Sequence, residues 1–296
     1  VTNEAALTLH GQAKSLAAGL PALLAEAERL AAWVNMGEHG RRRAGAGEEF
    51  WQYRAAQPGD NLRMVDWRRS ARTEGQAFVR EREWQVAQSL ILWVDPARSM
   101  AFSGNENRPT KAARARVLAL ALGLLALKGG ERVALPGNLP RAGRAQESHL
   151  AAGLLADAGD ADYGDYAGPS RAGLPDHGRV IMLSDFLGPI DPLRDAMITA
   201  ADRGVRGTLL QVLDPDEMDF PFRGRVRFES MSGTLTHETQ SADTLAPRYR
   251  ERLAERQAAL RDLGRALGWP VGLNVTGDLA GPGLVWAHAA LSGAGR

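Results

Sequence analysis

Hydrophobic and polar positions follow two different rhythms along the chain. From residue 21 the run PALLAEAERLAAWVNMG spaces apolar residues three and four apart between Pro21 and Gly37, which predicts an amphipathic helix over 22–36. Residues 38–85 have no helical period, are rich in Arg, Gly and Trp, and end in the alternating AFVRERE; loops and short strands are expected there. Beyond residue 85 strand and helix patterns alternate. SLILWVD (89–95), ERVALP (131–136), RVIMLSD (179–185) and VRGTLLQVLD (205–214) read as strands that are apolar nearly throughout. KAARARVLALALGLLALKG (111–129), SHLAAGLLADA (148–158, with Ser148 as N-cap) and DPLRDAMITAADRG (191–204, closed by Gly204) read as helices. RVRFES and TLTHET around MSG predict a hairpin near 225–238, followed by a long charged helix over 245–268, a last strand PVGLNVT and a short helix near 283–291.

Strands of this kind interleaved with helices predict an α/β fold, a mostly parallel sheet covered by helices on both faces. Two regions are expected: a helix with an Arg- and Trp-rich module over 1–85, and the α/β core over 86–296 with its hairpin and a helix-strand extension. Ligands of open parallel sheets gather at the carboxyl ends of the strands, where Asp95, Asp185 and Asp214 fall. Asp95 and Asp185, with the hydroxyls of Ser99 and Ser148, make a candidate all-oxygen site for Mg²⁺ or another hard cation. The plainer reading is that the aspartates cap helices or bind loop amides. A Gly- and Asp-rich loop over 159–178 adds Asp160, Asp162 and Asp165 as further acids.

Composition narrows the function classes. The 296 residues suffice for a sizeable core, and 36 basic against 35 acidic side chains give a formal charge of +1, with no overall pull toward nucleic acid or an anionic bilayer. The triplet Arg41, Arg42, Arg43 lies in a segment, 39–84, whose ten arginines are interleaved with seven acids, a weak basis for a nucleic-acid interface. The absence of cysteine excludes disulfides, thiolate metal sites and a Cys nucleophile. The six histidines have no metal-ligand spacing, and phosphate-loop, SxxK and GxSxG motifs are missing. The longest nearly apolar run, 117–127, has 11 residues where a membrane span needs about 20. With no basic-then-apolar leader at the start, a soluble cytoplasmic protein without a membrane span is expected.

Two stretches carry a resemblance. The order of strand, DxxxSM, helix, strand, helix and strand ending in SD resembles a von Willebrand factor A type domain, whose metal-ion-dependent adhesion site uses DxSxS, a Thr from a second loop and an Asp from a third. Here Asp95, Pro96, Ala97, Arg98 and Ser99 replace the middle serine by Ala97, and no Thr occurs between Glu131 and Val180, which leaves Ser148 as the stand-in. Asp185 matches the third element, and Arg98 brings a positive charge that disfavours a cation. Upstream, GAGEEFWQYRAAQPGDNLRMVDWRRSARTEG (45–75) and FVREREWQV closely resemble the signature of the bacterial domain of unknown function 58 family, in which GxGxEF, Arg, PGDxxRxxDW and AR precede a von Willebrand A-like core. The resemblance spans roughly residues 20–215 and is to the soluble subgroup, without the two amino-terminal membrane helices of many relatives. It implies proteins encoded beside MoxR-type AAA+ ATPases and acting with them as assembly or chaperone-like factors.

Within that signature Pro58, Gly59 and Asp60 form a turn, and Arg54, Arg63 and Arg72 can each fork onto a carboxylate. With Trp51 and Trp67 they make either a module that docks on the core or a partner-reading surface. The expectation is therefore a non-enzymatic adaptor for a MoxR-type AAA+ ATPase and a client protein, with Asp95, Arg98, Ser99, Arg54, Arg63 and Trp67 as partner-binding residues. Its degenerate cation site would comprise Asp95, Ser99, Ser148 and Asp185, and would hold either Mg²⁺ or no cofactor at all. The alternative is a metal-dependent nuclease or phosphatase using Asp95 and Asp185, with Asp160, Asp162, Asp165 or Asp214 as additional acids.

Overall fold

Strands that are apolar at every position need cover on both faces, and those of this chain receive it. The computed structural model describes residues 89–156, 164–169 and 174–293, the strand segments 44–45, 49–55 and 78–83, and the single positions 8, 11 and 70. Three short strands, β1 (Ala44–Gly45), β2 (Glu49–Ala55) and β3 (Phe78–Glu83), form an antiparallel sheet in the order β1-β3-β2. The helix expected over 22–36 lies outside the described residues.

The main sheet has five strands, all parallel: β4 (Ser89–Val94), β5 (Arg132–Ala134), β6 (Arg179–Ser184), β7 (Arg206–Leu213) and β10 (Val271–Val275), in the order β10-β7-β6-β4-β5. Alternate residues of each strand point to opposite faces. Leu90, Leu92, Ile181, Leu183, Leu210 and Val212 pack on one side, Ile91, Trp93, Val180, Met182 and Leu209 on the other. The first face is covered by α1 (Lys111–Lys128), α2 (Arg144–Ala156) and α6 (Ala280–Ser292), the second by α3 (Ile190–Asp202) and α5 (Ala246–Leu267). Every residue of α1 from Leu118 to Leu125 is buried, because the helix is sandwiched between the sheet and two other helices. On the second face Trp269 comes so close to β7 that a Cβ on Gly207 would stand 2.0 Å from its ring, and only glycine fits there.

A hairpin of β8 (Val226–Glu229) and β9 (Thr236–Thr239) follows a short helix α4 (Pro215–Asp219). Phe220, Phe222 and Phe228 cluster with Tyr249 of α5 at ring separations of 4.7–5.7 Å and so fasten the hairpin to that helix.

Two helix starts differ from the sequence pattern. Helix α2 starts at Arg144, after Gly143 at φ 93°, so Ser148 lies exposed inside the helix and is not its N-cap. The residues RAQE are good helix formers and extend the helix backwards, and Gln146 anchors that extra turn by donating from Nε2 to the Val133 carbonyl at 2.8 Å. Helix α6 starts at Ala280, and the short elements Arg98–Ala101 (a 3₁₀ turn) and α4 add to those the pattern predicts.

Candidate functional site

The parallel register carries the acids to one rim. Val94 pairs with Leu183 and the Asp95 N–H donates to the Leu183 carbonyl at 2.9 Å, so Asp95 and Asp185 emerge at adjacent strand ends. Asp214 ends the next strand, β7, and is fully buried. The shared rim expected of these three acids is present.

Asp95 is held by neutral donors. Its Oδ1 accepts from the Ala97 N–H at 2.8 Å and its Oδ2 from the Ser184 hydroxyl at 2.6 Å. Ser184 Oγ in turn accepts from the Phe186 N–H at 2.9 Å, and Phe186 has φ 50°, an uncommon left-handed conformation for a bulky residue. Burial pushes the Asp95 carboxyl up to about 6; the Ser184 and Ala97 hydrogen bonds oppose the rise, the nearby Asp185 adds to it, and Lys111 contributes a small opposing attraction.

Asp185 has a cationic partner. Lys111, the first residue of α1, has a fully buried side chain, and its Nζ donates to Asp185 Oδ2 at 2.8 Å and to Glu217 Oε1 at 2.6 Å. Its ammonium also lies 5.7 Å from the centroid of the Phe102 ring. Burial pulls the Lys111 pKa down, but Asp185 and Glu217 outweigh it and the net direction is up. Glu217 is raised by its own burial, against the attraction of Lys111. The other Asp185 oxygen accepts from the Leu187 N–H at 3.0 Å.

The network continues through α4. Glu217 Oε2 accepts from the Asp214 N–H, and Asp214 Oδ1 from the Asp216 N–H, both at 2.9 Å, a capping box built on DPDE. Asp214 Oδ2 accepts from Thr276, and Arg108 Nη2 stands 3.2 Å from Asp214 and 2.9 Å from Asp216. The alternative reading of Asp95, Asp185 and Asp214 as caps and loop anchors thus describes what each carboxylate does.

The predicted cation site is only partly assembled. Asp95, Ser99 and Asp185 lie at the rim, whereas Ser148 is exposed on α2. Among the described residues Ser99 Oγ is buried without a hydrogen-bond partner, but Ala97 offers no hydroxyl and the ammonium of Lys111 already occupies Asp185. Among the described residues no group of three or more His, Asp or Glu side chains is arranged to hold a metal ion. These residues do not fit a bound divalent cation.

Of the remaining expected residues, Arg98 opens the 3₁₀ turn, its N–H donating to the Gly164 carbonyl at 3.1 Å, and its charge helps to keep Asp165 ionised. Asp165 lies below the usual carboxylate range chiefly through the Ser232 hydroxyl, which donates to Oδ2 at 2.7 Å while the Ser232 N–H donates to Oδ1 at 2.7 Å. The hairpin tip is thereby joined to the rim. Arg54 belongs to β2; Arg63, Trp67, Asp160 and Asp162 lie outside the described residues. The sequence pattern does not predict Lys111, Glu217, Ser184 or Arg108 at the site. A lysine opening an apolar helix, at the end whose dipole favours anions, is the available signal for Lys111; the DPDE string is that for Glu217.

Beside Asp95 a cleft of about 140 Å³ is walled by Trp93, Tyr166, Phe186, Pro189 and Arg256. A larger one, about 230 Å³, opens at the opposite strand ends beside Arg206 and Trp286, away from the acids. Tyr166, 49% exposed, lies so close to Gly188 that a Cβ there would meet it at 2.7 Å.

The chain is 28% identical over 274 residues to the uncharacterized protein Rv1480 of Mycobacterium tuberculosis and equally to the uncharacterized protein Mb1516 of Mycobacterium bovis, covering 85% of this chain and 81% of each relative. A solved structure of the conserved hypothetical protein BatB from Bacteroides thetaiotaomicron aligns with 70% of this chain and 98% of its own at 12% identity, with a TM-score of 0.40. The family model described as protein of unknown function DUF58 matches residues 52–262, well over half the length, and the chain belongs to that family.

Proposed function

We propose that this protein is a non-enzymatic adaptor that engages partner proteins through the carboxyl-end rim of its sheet, in the cytoplasm, alongside a MoxR-type AAA+ ATPase and a client. The observation that carries this reading is that the acids of the rim are already engaged internally: Asp95 by Ser184 and Ala97, Asp185 and Glu217 by Lys111, Asp214 by Thr276 and its own cap. Metal-assisted hydrolysis needs ligands free to hold a cation with an open position for water, and general-base chemistry needs a base within reach of a nucleophile. No such open cation position occurs among the described rim residues, and the hydroxyls within reach of Asp95 and Asp214, those of Ser184 and Thr276, are buried away from any substrate. The surface around the rim has the character of a contact: Tyr166, Met231 and Leu235 are 49, 44 and 67% exposed, and the Asp165–Ser232 link brings the hairpin tip beside the loop that bears Tyr166. No helix among the described residues is long and apolar enough to cross a membrane.

The test is co-purification of the full chain with the MoxR-type ATPase of the same cell, with and without ATP. Association weakened by Tyr166→Ala or Leu235→Asp is expected. Absence of association, together with Mg²⁺-dependent hydrolysis of a phosphomonoester or phosphodiester that Asp185→Asn abolishes, would replace this reading with the hydrolase.

A further inference from the structure

Asp95 is 3% exposed, yet among the described residues no cation lies within hydrogen-bond distance of it. A carboxylate can accept about four hydrogen bonds, and the Ala97 amide and the Ser184 hydroxyl supply two. With its carboxyl at about 6 the group is ionised at neutral pH, so a buried negative charge stands without a counter-ion. Resting on the rim as the docking surface, we propose that a lysine side chain of the partner protein fills the cleft beside Asp95 and sets its ammonium against this carboxylate.

The cleft fits that occupant in size and in lining. Its volume, about 140 Å³, is below the roughly 300–1,000 Å³ of sites for free small molecules and suits one side chain of a larger partner. Asp95 lines it together with Trp93, Tyr166 and Phe186, aromatic rings that attract an ammonium and cover the apolar stem that carries it. Phe186 takes its place there at φ 50°, a strained conformation for a bulky residue, which the Ser184 hydroxyl holds by accepting the Phe186 N–H at 2.9 Å. Arg256 is the one basic residue among the described lining residues, and its Nη2 is committed to the carbonyls of Leu187 and Gly188. It braces the turn against which Tyr166 packs; the charges that act on Asp95 are those of Asp185 and Lys111.

The adjacent strand end supplies the precedent. Asp185, equally buried, is met by the Lys111 ammonium at 2.8 Å, and that ammonium lies 5.7 Å from the centroid of the Phe102 ring. An ammonium held between a strand-end carboxylate and an aromatic ring is thus an arrangement this rim already contains. At Asp95 the carboxylate and the rings are present and the cation is left for a partner to bring. A neutral partner group would leave the buried charge unpaired, and an acidic one would face it with a like charge.

The test is titration of the full chain with the blocked peptide acetyl-Gly-Gly-Lys-Gly-Gly-amide and with its norleucine and glutamate counterparts, followed by NMR at the Trp93 indole N–H and the Gly188 amide. The expected result is millimolar binding of the lysine peptide that moves both signals. It should be at least about tenfold tighter than the norleucine peptide, because the gain is a charge-assisted hydrogen bond in a desolvated site. Asp95→Asn should bring the two peptides to equal affinity. Should Asp95→Asn fail to fold, Tyr166→Ala, at an exposed position, is titrated in its place and should weaken the lysine peptide at least about threefold. Equal affinity for the lysine and norleucine peptides in the natural chain, preference for the glutamate peptide, lysine binding undiminished in the folded variant, or no binding up to about 50 mM overturns the assignment. The peptides are titrated without the ATPase, so their failure to bind leaves the co-purification result standing, and failed co-purification leaves lysine binding standing.

Discussion

The two neighbouring strand ends solve the same physical problem differently. Asp185, at the end of β6, is buried with a lysine ammonium against it; Asp95, one strand over, is equally buried but receives only an amide and a hydroxyl. A buried charge is tolerated when a counter-charge accompanies it, and where only neutral donors do so the proton becomes an effective competitor. The first half of the rim is therefore a fixed ion-pair network, and the second a carboxyl that titrates near pH 6 beside the cleft of Trp93 and Tyr166.

The largest effect that would break this contrast is expected from Lys111→Met. Leaving Asp185 and Glu217 buried without their cation should cost about 3–5 kcal/mol in urea unfolding at neutral pH. A loss below about 1 kcal/mol would mean that the two carboxylates are reached by water or take up protons freely.

The next effect is one of pH. The folded Asp95 carboxyl sits at about 6 against an ordinary 3.8, so the folded chain holds this proton more tightly than the unfolded one. Its contribution to stability is greatest below about pH 4, declines as pH rises from about 4 to about 6, and is constant above, a total of at most about 3 kcal/mol. Asp95→Asn should remove that decline, so the stability difference between variant and natural chain should change with pH across this window. A difference that stays flat would place Asp95 in contact with solvent or with an unrecognised cation.

The smallest effect concerns Ser99. Its buried hydroxyl lacks a partner among the described residues, so Ser99→Ala should leave stability unchanged or raise it by up to about 1 kcal/mol. A clear loss in the same unfolding assay would show that the hydroxyl is in use and that the neutral half of the rim is more extensively bonded.

Much of this architecture is legible in the chain. The apolar runs at 89–95, 179–185 and 205–214 require cover on both faces, and their aspartates follow directly, so a parallel sheet with a shared acidic rim can be read from the residues alone. The hairpin near 225–238 and the helix over 245–268 are equally plain, since MSG is a turn and Gly268 adopts the left-handed φ of 68° that ends the helix. The start of α2 is not, because good helix formers precede Ser148 and nothing local obliges the helix to wait for that cap.

The sequence by itself determined the fold class and the positions of the acids, because periodicity and strand-end placement are local properties of the chain. Only the tertiary structure decided how those acids are neutralised. Lys111 meets Asp185 and Glu217 across separations of 74 and 106 residues, and Asp95 meets Ser184 across 89. Such pairings depend on strand order and on how α1 and α4 dock, so no spacing along the chain encodes them, and the same acids would suit a metal, a proton or a lysine until the packing chooses.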